Sequence, residues 1–288
     1  MKTAGPLSAT SRLMPVAVIA GAAGGVGTAA ARILGHTHRL VLTDVSSDRL
    51  QALRTNLTNE GCCVDCLPGD LADADTAQRL AELCASTGPL RSIVNAAGLS
   101  PIQGDWEAIV RANAIGPSRL ISVLEPLLVQ GSACVLIASV AGHLGPDDSE
   151  IQMLLDDPLQ PDLCDTLHSR LAAVVAAHGG TMEGQAYSFS KRAVIRLCER
   201  TAIRWGSRGA RIVSLSPGVV WTSMGRLEAA SGQRAQAMIE ATPCGRWGTV
   251  MDVALVAQFL LSDTASYITG CDLRVDGGAV AALRGQAF

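Results

Sequence analysis

Lysine and tyrosine are almost absent from this sequence: its 288 residues contain two of each, and aromatic residues together make up only 3%. Charge is scarce too, at 17%, and 23 basic residues against 26 acidic ones leave a formal charge of −3 with no long run of either sign. A surface for a polyanion such as nucleic acid is therefore not indicated. No apolar stretch approaches the roughly 18 to 20 residues that span a bilayer, because Gly, Arg or Asp interrupts every run. These absences point to a soluble protein that engages neither nucleic acid nor membrane.

Metal and disulfide chemistry are also poorly provided for. The nine cysteines are an odd number, spread from Cys62 to Cys271 in a chain that is 48% hydrophobic and long enough to need no covalent staples. They read as reduced core thiols of a cytoplasmic protein. The one cluster, Cys62, Cys63 and Cys66, has no second Cys or His pair near it, and no HExxH pair occurs, so no metal is expected. Residues 1–14 lack an apolar segment of the secretory kind and are expected to be a flexible extension, with Met14 an alternative start. With no repeat, low-complexity tract or linker, residues 15–288 are expected to form one domain.

Within that domain the pattern alternates. The apolar run Val16 to Ala20 leads through GAAGGVG into a helical stretch, and a second run, Leu40 to Thr43, ends at Asp44 before a helix whose Leu50, Leu53 and Leu57 share a face. Further strands are expected near Val64–Leu67, Ser92–Asn95, Ala133–Ser139, Arg211–Ser214 and Asp272–Val275. Helices are expected near Ala74–Ala85, Trp106–Val129, Tyr187–Trp205 and Met251–Leu261. Strands without polar alternation, joined by helices, predict an α/β fold: a Rossmann-type, doubly wound parallel sheet of about seven strands with helices on both faces. Two segments break the rhythm, a helical insertion at about 144–184 and the piece from Trp221 to Gly245. Both follow strands, so both belong at the carboxyl edge of the sheet, where such folds bind ligands.

Gly21, Gly25 and Gly27 punctuate the first strand–helix turn, where glycine lets the backbone approach a pyrophosphate resting on the helix N-terminus. Asp44, at the end of the second strand, is placed to accept both hydroxyls of an adenosine ribose and to repel a 2′-phosphate, which favours NAD(H) over NADP(H). Tyr187 and Lys191 are four residues apart. With two of each residue in the chain, a chance Tyr-x3-Lys is expected about 0.014 times. On a helix the two side chains stack, and an ammonium beside a phenol favours the phenolate, making tyrosine a usable acid and base.

These segments resemble the short-chain dehydrogenase/reductase family over nearly the whole chain. The family's glycine motif is matched by Ala20 to Gly27, Val26 included, and its Asn-Asn-Ala-Gly stretch by Asn95, Ala96, Ala97 and Gly98. Its adenine contact is matched by Asp70 and Leu71, and its Asp-Gly-Gly signature by Asp276, Gly277 and Gly278. The resemblance implies a catalytic set of Asn113, Ser139, Tyr187 and Lys191, with Tyr187 and Lys191 also touching the cofactor. It further implies that Pro217, Gly218, Val220 and Thr222 hold the nicotinamide carboxamide. Ser139 and Tyr187 are separated by 48 positions, far more than is usual in the family. That insertion and the tail VDGGAVAALRGQAF resemble more narrowly the bacterial 3α-hydroxysteroid dehydrogenase/carbonyl reductase group.

The expected chemistry is hydride transfer between a nicotinamide and a carbonyl or carbinol carbon. Tyr187 would move the proton, Lys191 would assist it, Ser139 would hydrogen-bond the reacting oxygen and Asn113 would hold a relay water. The expected substrate is a hydrophobic secondary alcohol or ketone, steroid-like or cyclic, with His143, Trp221 and Met224 as contacts and Leu227 and Met238 nearby. The alternative is that the four apolar residues cap the core or meet a second subunit and that His143 is structural. The insertion, with eight acidic residues between Asp147 and Glu183 against the single Arg170, is either a solvated subdomain or a lid whose Leu154, Leu155 and Leu167 touch substrate. If it packs over the Tyr-bearing helix, it hides a helix-pairing surface, and a homodimer is then expected rather than a tetramer. Two other functions stay open: reduction of a carrier-bound 3-oxoacyl thioester, and non-catalytic NAD binding by a regulator.

Overall fold

In the computed structural model, which describes residues 14–231 and 238–285, seven strands form one parallel sheet. They are β1 (Val16–Ala20), β2 (Arg39–Asp44), β3 (Val64–Pro68), β4 (Leu90–Asn95), β5 (Leu128–Ile137), β6 (Arg211–Pro217) and β7 (Asp272–Val275), in the order β3-β2-β1-β4-β5-β6-β7. All six pairings are parallel. The order reverses between β1 and β4, and a crevice opens there at the carboxyl edge. The expected flexible extension falls almost wholly on residues 1–13, outside the described residues.

Successive residues of β1 serve opposite faces. Val16, Val18 and Ala20 join one core cluster, and Ala17 and Ile19 join the other. The first face is covered by α3 (Ala74–Thr87), α5 (Gly116–Leu124) and α9 (Met182–Gly206), which contribute Leu80, Leu120 and Trp205 among others. The second is covered by α1 (Gly25–Leu34), α2 (Ser47–Asn59) and α11 (Val250–Leu261). On α2 the buried residues are Leu50, Leu53 and Leu57, the stripe the sequence displays. Among the described residues no helix is long and apolar enough to cross a membrane.

Three expected boundaries move, each for a local reason. The stretch Trp106–Val129 is not one helix: α4 (Trp106–Val110) runs into a π-helical turn (Arg111–Ile115) before α5. Pro117 has no N–H for the carbonyl of Asn113 and its ring crowds that carbonyl, while the Gly116 N–H reaches back five residues to Arg111. Strand β5 starts at Leu128 and ends at Ile137, so Ser139 lies beyond it. Its first residues, Leu128 to Gly131, are half-buried or exposed, and the apolar pair Leu128 and Val129 continues the pattern of the preceding helix, so the sequence reads them as its end. At its end the Ala138 and Val140 N–H groups still bond Leu215 and Pro217, but the chain has turned into the single-turn helix α6 (Ala141–Leu144). Helix α9 starts at Met182 rather than near Tyr187, because the Thr181 hydroxyl accepts from the Gly184 N–H as an N-cap.

The insertion is helical, as expected, with α7 (Ser149–Asp156) and α8 (Leu163–His178). Ile151, Leu155, Leu163, Leu167 and Leu171 bury against Ile109, Val110 and Ala114 near the start of the α4–α5 run and against Ala186, Phe189 and Ala193 of α9. Leu155 and Leu167 are therefore core residues of the insertion, and Leu154 packs beside them. None faces the crevice, which removes the lid reading of these leucines. Much of the acidic charge is spoken for: Asp156 pairs with both Arg196 and Arg200 of α9, Asp147 with Arg192, and Asp148 and Glu150 with Arg170.

Burial pushes the Asp156 carboxyl up, but the Arg196 and Arg200 guanidinium groups outweigh it and hold the carboxyl below the usual carboxylate range. A folded-state value below the unfolded one stabilises the protein above the unfolded pKa, and that stabilisation is lost as pH falls through the folded value. Asp156→Asn is therefore expected to cost about 1–3 kcal/mol at neutral pH. Urea unfolding at pH 7 and near pH 3 checks this, since the gap to the natural sequence should narrow below about pH 4.

Candidate active site

A cavity of about 680 Å³ runs along the carboxyl ends of β1, β2, β4, β5 and β6. At one end is the turn into α1. Gly21 has φ +68°, and a Cβ there would lie 2.4 Å from the Ala97 nitrogen, so this turn is pressed against the end of β4 as only glycine allows. Gly25 and Val26 line the cavity at the N-terminus of α1, while Gly27 packs behind, against the Gly21 carbonyl, and does not line it.

Asp44 closes the same end. One carboxylate oxygen accepts from the Ala23 N–H and the other from the Ser46 N–H, both at 3.0 Å, which fixes the group at the end of β2. Each oxygen keeps a lone pair for a further donor. Arg49 lies 3.6 Å from Asp44 and also lines the cavity. Opposite, Asp70 and Leu71 form a wall, with Asp70 accepting from the Ala72 N–H and lying 3.4 Å from Arg111. Midway, both polar atoms of the Asn95 side chain are buried with no hydrogen-bond partner among the described residues. A helix N-terminus, a fixed carboxylate and an unspent buried amide along one crevice fit a nicotinamide dinucleotide.

Beyond Ala96, Ala97 and Gly98 the cavity reaches Ser139, Tyr187 and Lys191. Lys191 is 6% exposed and donates to the Ile137 carbonyl at 3.1 Å, with its ammonium 5.8 Å from the centre of the Tyr187 ring. The Ser139 hydroxyl accepts from the Ala141 N–H at 3.2 Å. Asn113 stands behind this wall, fully buried in the π-helical turn. Its amide accepts from the Leu99 N–H at 2.8 Å and donates to the Leu99 carbonyl at 3.0 Å and the Ser190 hydroxyl at 3.2 Å. π turns of this kind recur at functional sites.

The far wall comes from Pro217 at the end of β6 and from the segment after it: Gly218, Val220, Thr222 and Met224. The structure separates the other expected substrate contacts from it. Trp221 is 53% exposed, edge-on to Trp247 and under the Arg226 guanidinium, outside the cavity. His143 is drawn away by Asp272 at 2.8 Å and Ser216 at 3.2 Å. Leu227 and Met238 do not line the cavity either.

Sequence reading missed Arg49, Gln103, Glu107, Ala108, Arg111 and Ala112, all in the cavity wall. The last four were legible, since positions 107, 108, 111 and 112 share one helical face. Cysteine chemistry is not positioned here: all nine thiols are free, and burial pushes Cys84 and Cys198 up to about 12 and Cys66 up to about 11.

Comparison with known proteins settles the family. A family model described as short chain dehydrogenase matches residues 15–149, and one described as enoyl-(acyl carrier protein) reductase matches residues 171–280. The short-chain dehydrogenase/reductase bsc3 of Alternaria brassicicola is 32% identical over 264 residues, covering 91% of this chain and 94% of that protein. The chain belongs to the short-chain dehydrogenase/reductase family. A 3α-hydroxysteroid dehydrogenase/carbonyl reductase of Comamonas testosteroni is 27% identical, over 96% of this chain and all of that one. A solved short-chain dehydrogenase/reductase of Mycobacterium ulcerans superposes with a TM-score of 0.74 at 25% identity, covering 93% of this chain and 90% of that one. The protein is thus an oxidoreductase of this family, whose members use nicotinamide dinucleotides.

Asn113 is the tie on which this family member's site geometry hangs. Asn113→Ala leaves the half-buried Leu99 backbone groups without their side-chain partner and is expected to lower stability by about 1–3 kcal/mol. Chemical denaturation of variant and natural protein measures it directly.

Proposed function

We propose that this protein interconverts a secondary alcohol and a ketone on a hydrophobic, steroid-like or cyclic substrate, with NAD(H) as the preferred cofactor. The observation that carries the reading is the gathering of Ser139, Tyr187 and Lys191 in the wall of the one cavity that also holds Asp44 and the glycine turn. Relatives named levodione reductase, from Leifsonia aquatica, and 3α-hydroxysteroid dehydrogenase/carbonyl reductase support the substrate class.

The dinucleotide, when bound, supplies or accepts the hydride. Gly21, Gly25 and Val26 with the α1 N-terminus hold its pyrophosphate, Asp44 its adenosine ribose, Asp70 and Leu71 its adenine, and Pro217, Gly218, Val220 and Thr222 its carboxamide. Tyr187 gives a proton to the ketone oxygen or takes one from the alcohol, and the Lys191 ammonium beside it favours the phenolate. Ser139 donates a hydrogen bond to that oxygen as charge develops on it. Asn113 fixes the wall behind Lys191, where a water relays the proton outward. Met224 supplies apolar surface to the substrate.

Three outcomes separate this reading from its rivals. NADH should bind at least about tenfold more tightly than NADPH in a fluorescence titration, a difference of about 1.4 kcal/mol, because Asp44 repels a 2′-phosphate. NADPH preference with turnover of a 3-oxoacyl thioester would replace it with the biosynthetic reductase. NADH binding without turnover of any ketone would point to the regulator. Tyr187→Phe is expected to keep cofactor binding and lose about 10² to 10⁴ in turnover, measured as absorbance at the nicotinamide band.

We further propose a homodimer through a face other than the one the insertion covers. Met251, Leu255 and Phe259 form an exposed apolar stripe on α11 that offers such a face. Light scattering should then give twice the 29.8 kDa chain mass.

A further inference from the structure

A single turn such as α6 closes too few hydrogen bonds to hold its own shape, so something outside it must fix the segment that carries Ser139. One arginine does most of this from the α9 side. The Arg192 guanidinium donates to the Gly142 carbonyl through Nε at 2.9 Å, to the Gly145 carbonyl through Nη2 at 2.8 Å and to the Pro146 carbonyl through Nη1 at 2.8 Å. Nη1 also meets the Asp147 carboxylate at 2.6 Å. The residue next to Lys191 thus takes up carbonyls at the open end of α6 that the helix itself cannot satisfy.

The same turn lies directly on the α9 backbone. A Cβ on Gly142 would lie 2.9 Å from the Arg192 nitrogen, and one on Gly145 would lie 2.8 Å from the Ser188 Cβ. From the opposite side His143 is held by Asp272 and Ser216, and its carbonyl accepts from Arg284. Those contacts fasten the turn to β6, β7 and the C-terminal helix, whereas the Arg192 side chain ties it to the helix bearing Tyr187 and Lys191. Pro146 and Asp147 open the insertion, and Arg196 and Arg200, one and two turns further along α9, clamp Asp156.

We infer that Arg192 is a positioning residue: it sets where Ser139 stands relative to Tyr187 and Lys191, and it couples the insertion to that setting. The inference rests on the reading that Ser139 bonds the reacting oxygen. The three carbonyls are met by three different nitrogens of the fork, a spread that the single nitrogen of an ammonium does not reproduce, so charge alone does not replace the guanidinium.

The decisive measurement is amide hydrogen exchange on the cofactor-free protein. The Gly142, His143 and Gly145 N–H groups are bonded within the turn. Their exchange should quicken by about tenfold in both Arg192→Met and Arg192→Lys while the β1 amides stay unchanged. Asp147→Asn, which leaves the three carbonyl bonds in place, should exchange like the natural protein and keep its activity. The second arm is a double-mutant cycle with a ketone substrate. Arg192→Met should lower kcat by about tenfold with little change in the KM for NADH, yet by less than about twofold in a Ser139→Ala background. Arg192→Gln takes the place of Met if that variant does not fold. Unchanged exchange in the turn, a full effect from Asp147→Asn, or additivity in the cycle each overturns the proposal. If the natural protein turns over no ketone, the functional reading fails, and the exchange data still decide whether Arg192 fixes the turn.

Discussion

Lys191 carries an ammonium into a place where only 6% of the residue remains exposed, and a charge so placed is tolerated only where oxygen acceptors meet it. One acceptor is the carbonyl of Ile137, the last residue of β5, which is left for the ammonium while the Ala138 and Val140 N–H groups beyond it still bond β6. The turn that follows carries Ser139. Gly98 must also stay bare, since a Cβ there would lie 2.8 Å from the Asn113 amide oxygen and 3.2 Å from the Lys191 nitrogen. Strand ends, the π-helical turn and the helix of Tyr187 thus converge on the accommodation of one buried cation.

The second organising force is charge matching along α9. Arg192, Arg196 and Arg200 recur every fourth residue, which places them on one face. The insertion presents Asp147 and Asp156 to that face, and its leucines close a separate apolar cluster with Phe189 and Ala193. Read by composition, the acidic bias of residues 147–183 suggests a solvated surface. In the fold two of the eight acidic residues, Asp147 and Asp156, meet an arginine stripe on the helix beneath, and Asp148 and Glu150 pair with Arg170 inside the insertion.

Most strands were legible because a parallel sheet covered on both faces demands apolar runs, whereas the edge strand β7, Asp-Leu-Arg-Val, alternates charged and apolar residues and β3 carries Asp65. The glycine turn, Asp44, Tyr187 and Lys191 were legible because each residue type is dictated by one physical need at one position. His143 and Trp221 were misplaced for the opposite reason: residues near the site in sequence have many possible partners. Asp272 captures the first from a strand more than a hundred residues away, and Trp247 and Arg226 hold the second. The π-helical turn had a signal in Pro117, whose missing N–H falls opposite the Asn113 carbonyl. Arg49 follows Asp44 by only five residues, but an arginine in the first turn of a helix does not reveal which way it folds back.

The 48 positions between Ser139 and Tyr187 are compatible with a site that needs those two residues together. Each doubling of a loop costs only about 0.6 kcal/mol in closure entropy, and an insertion with its own apolar cluster offsets that cost. What the site requires is that the ends of the detour be fixed. Residues 139–147 are fixed by Arg192 and by the His143 contacts, and the return is fixed by the Thr181 cap, which starts α9 two turns before Lys191. The two family models match up to residue 149 and again from 171, so the stretch that neither covers lies inside the detour. Catalytic geometry of this kind depends on how a chain leaves and re-enters the sheet edge, and the length in between is free to carry other structure.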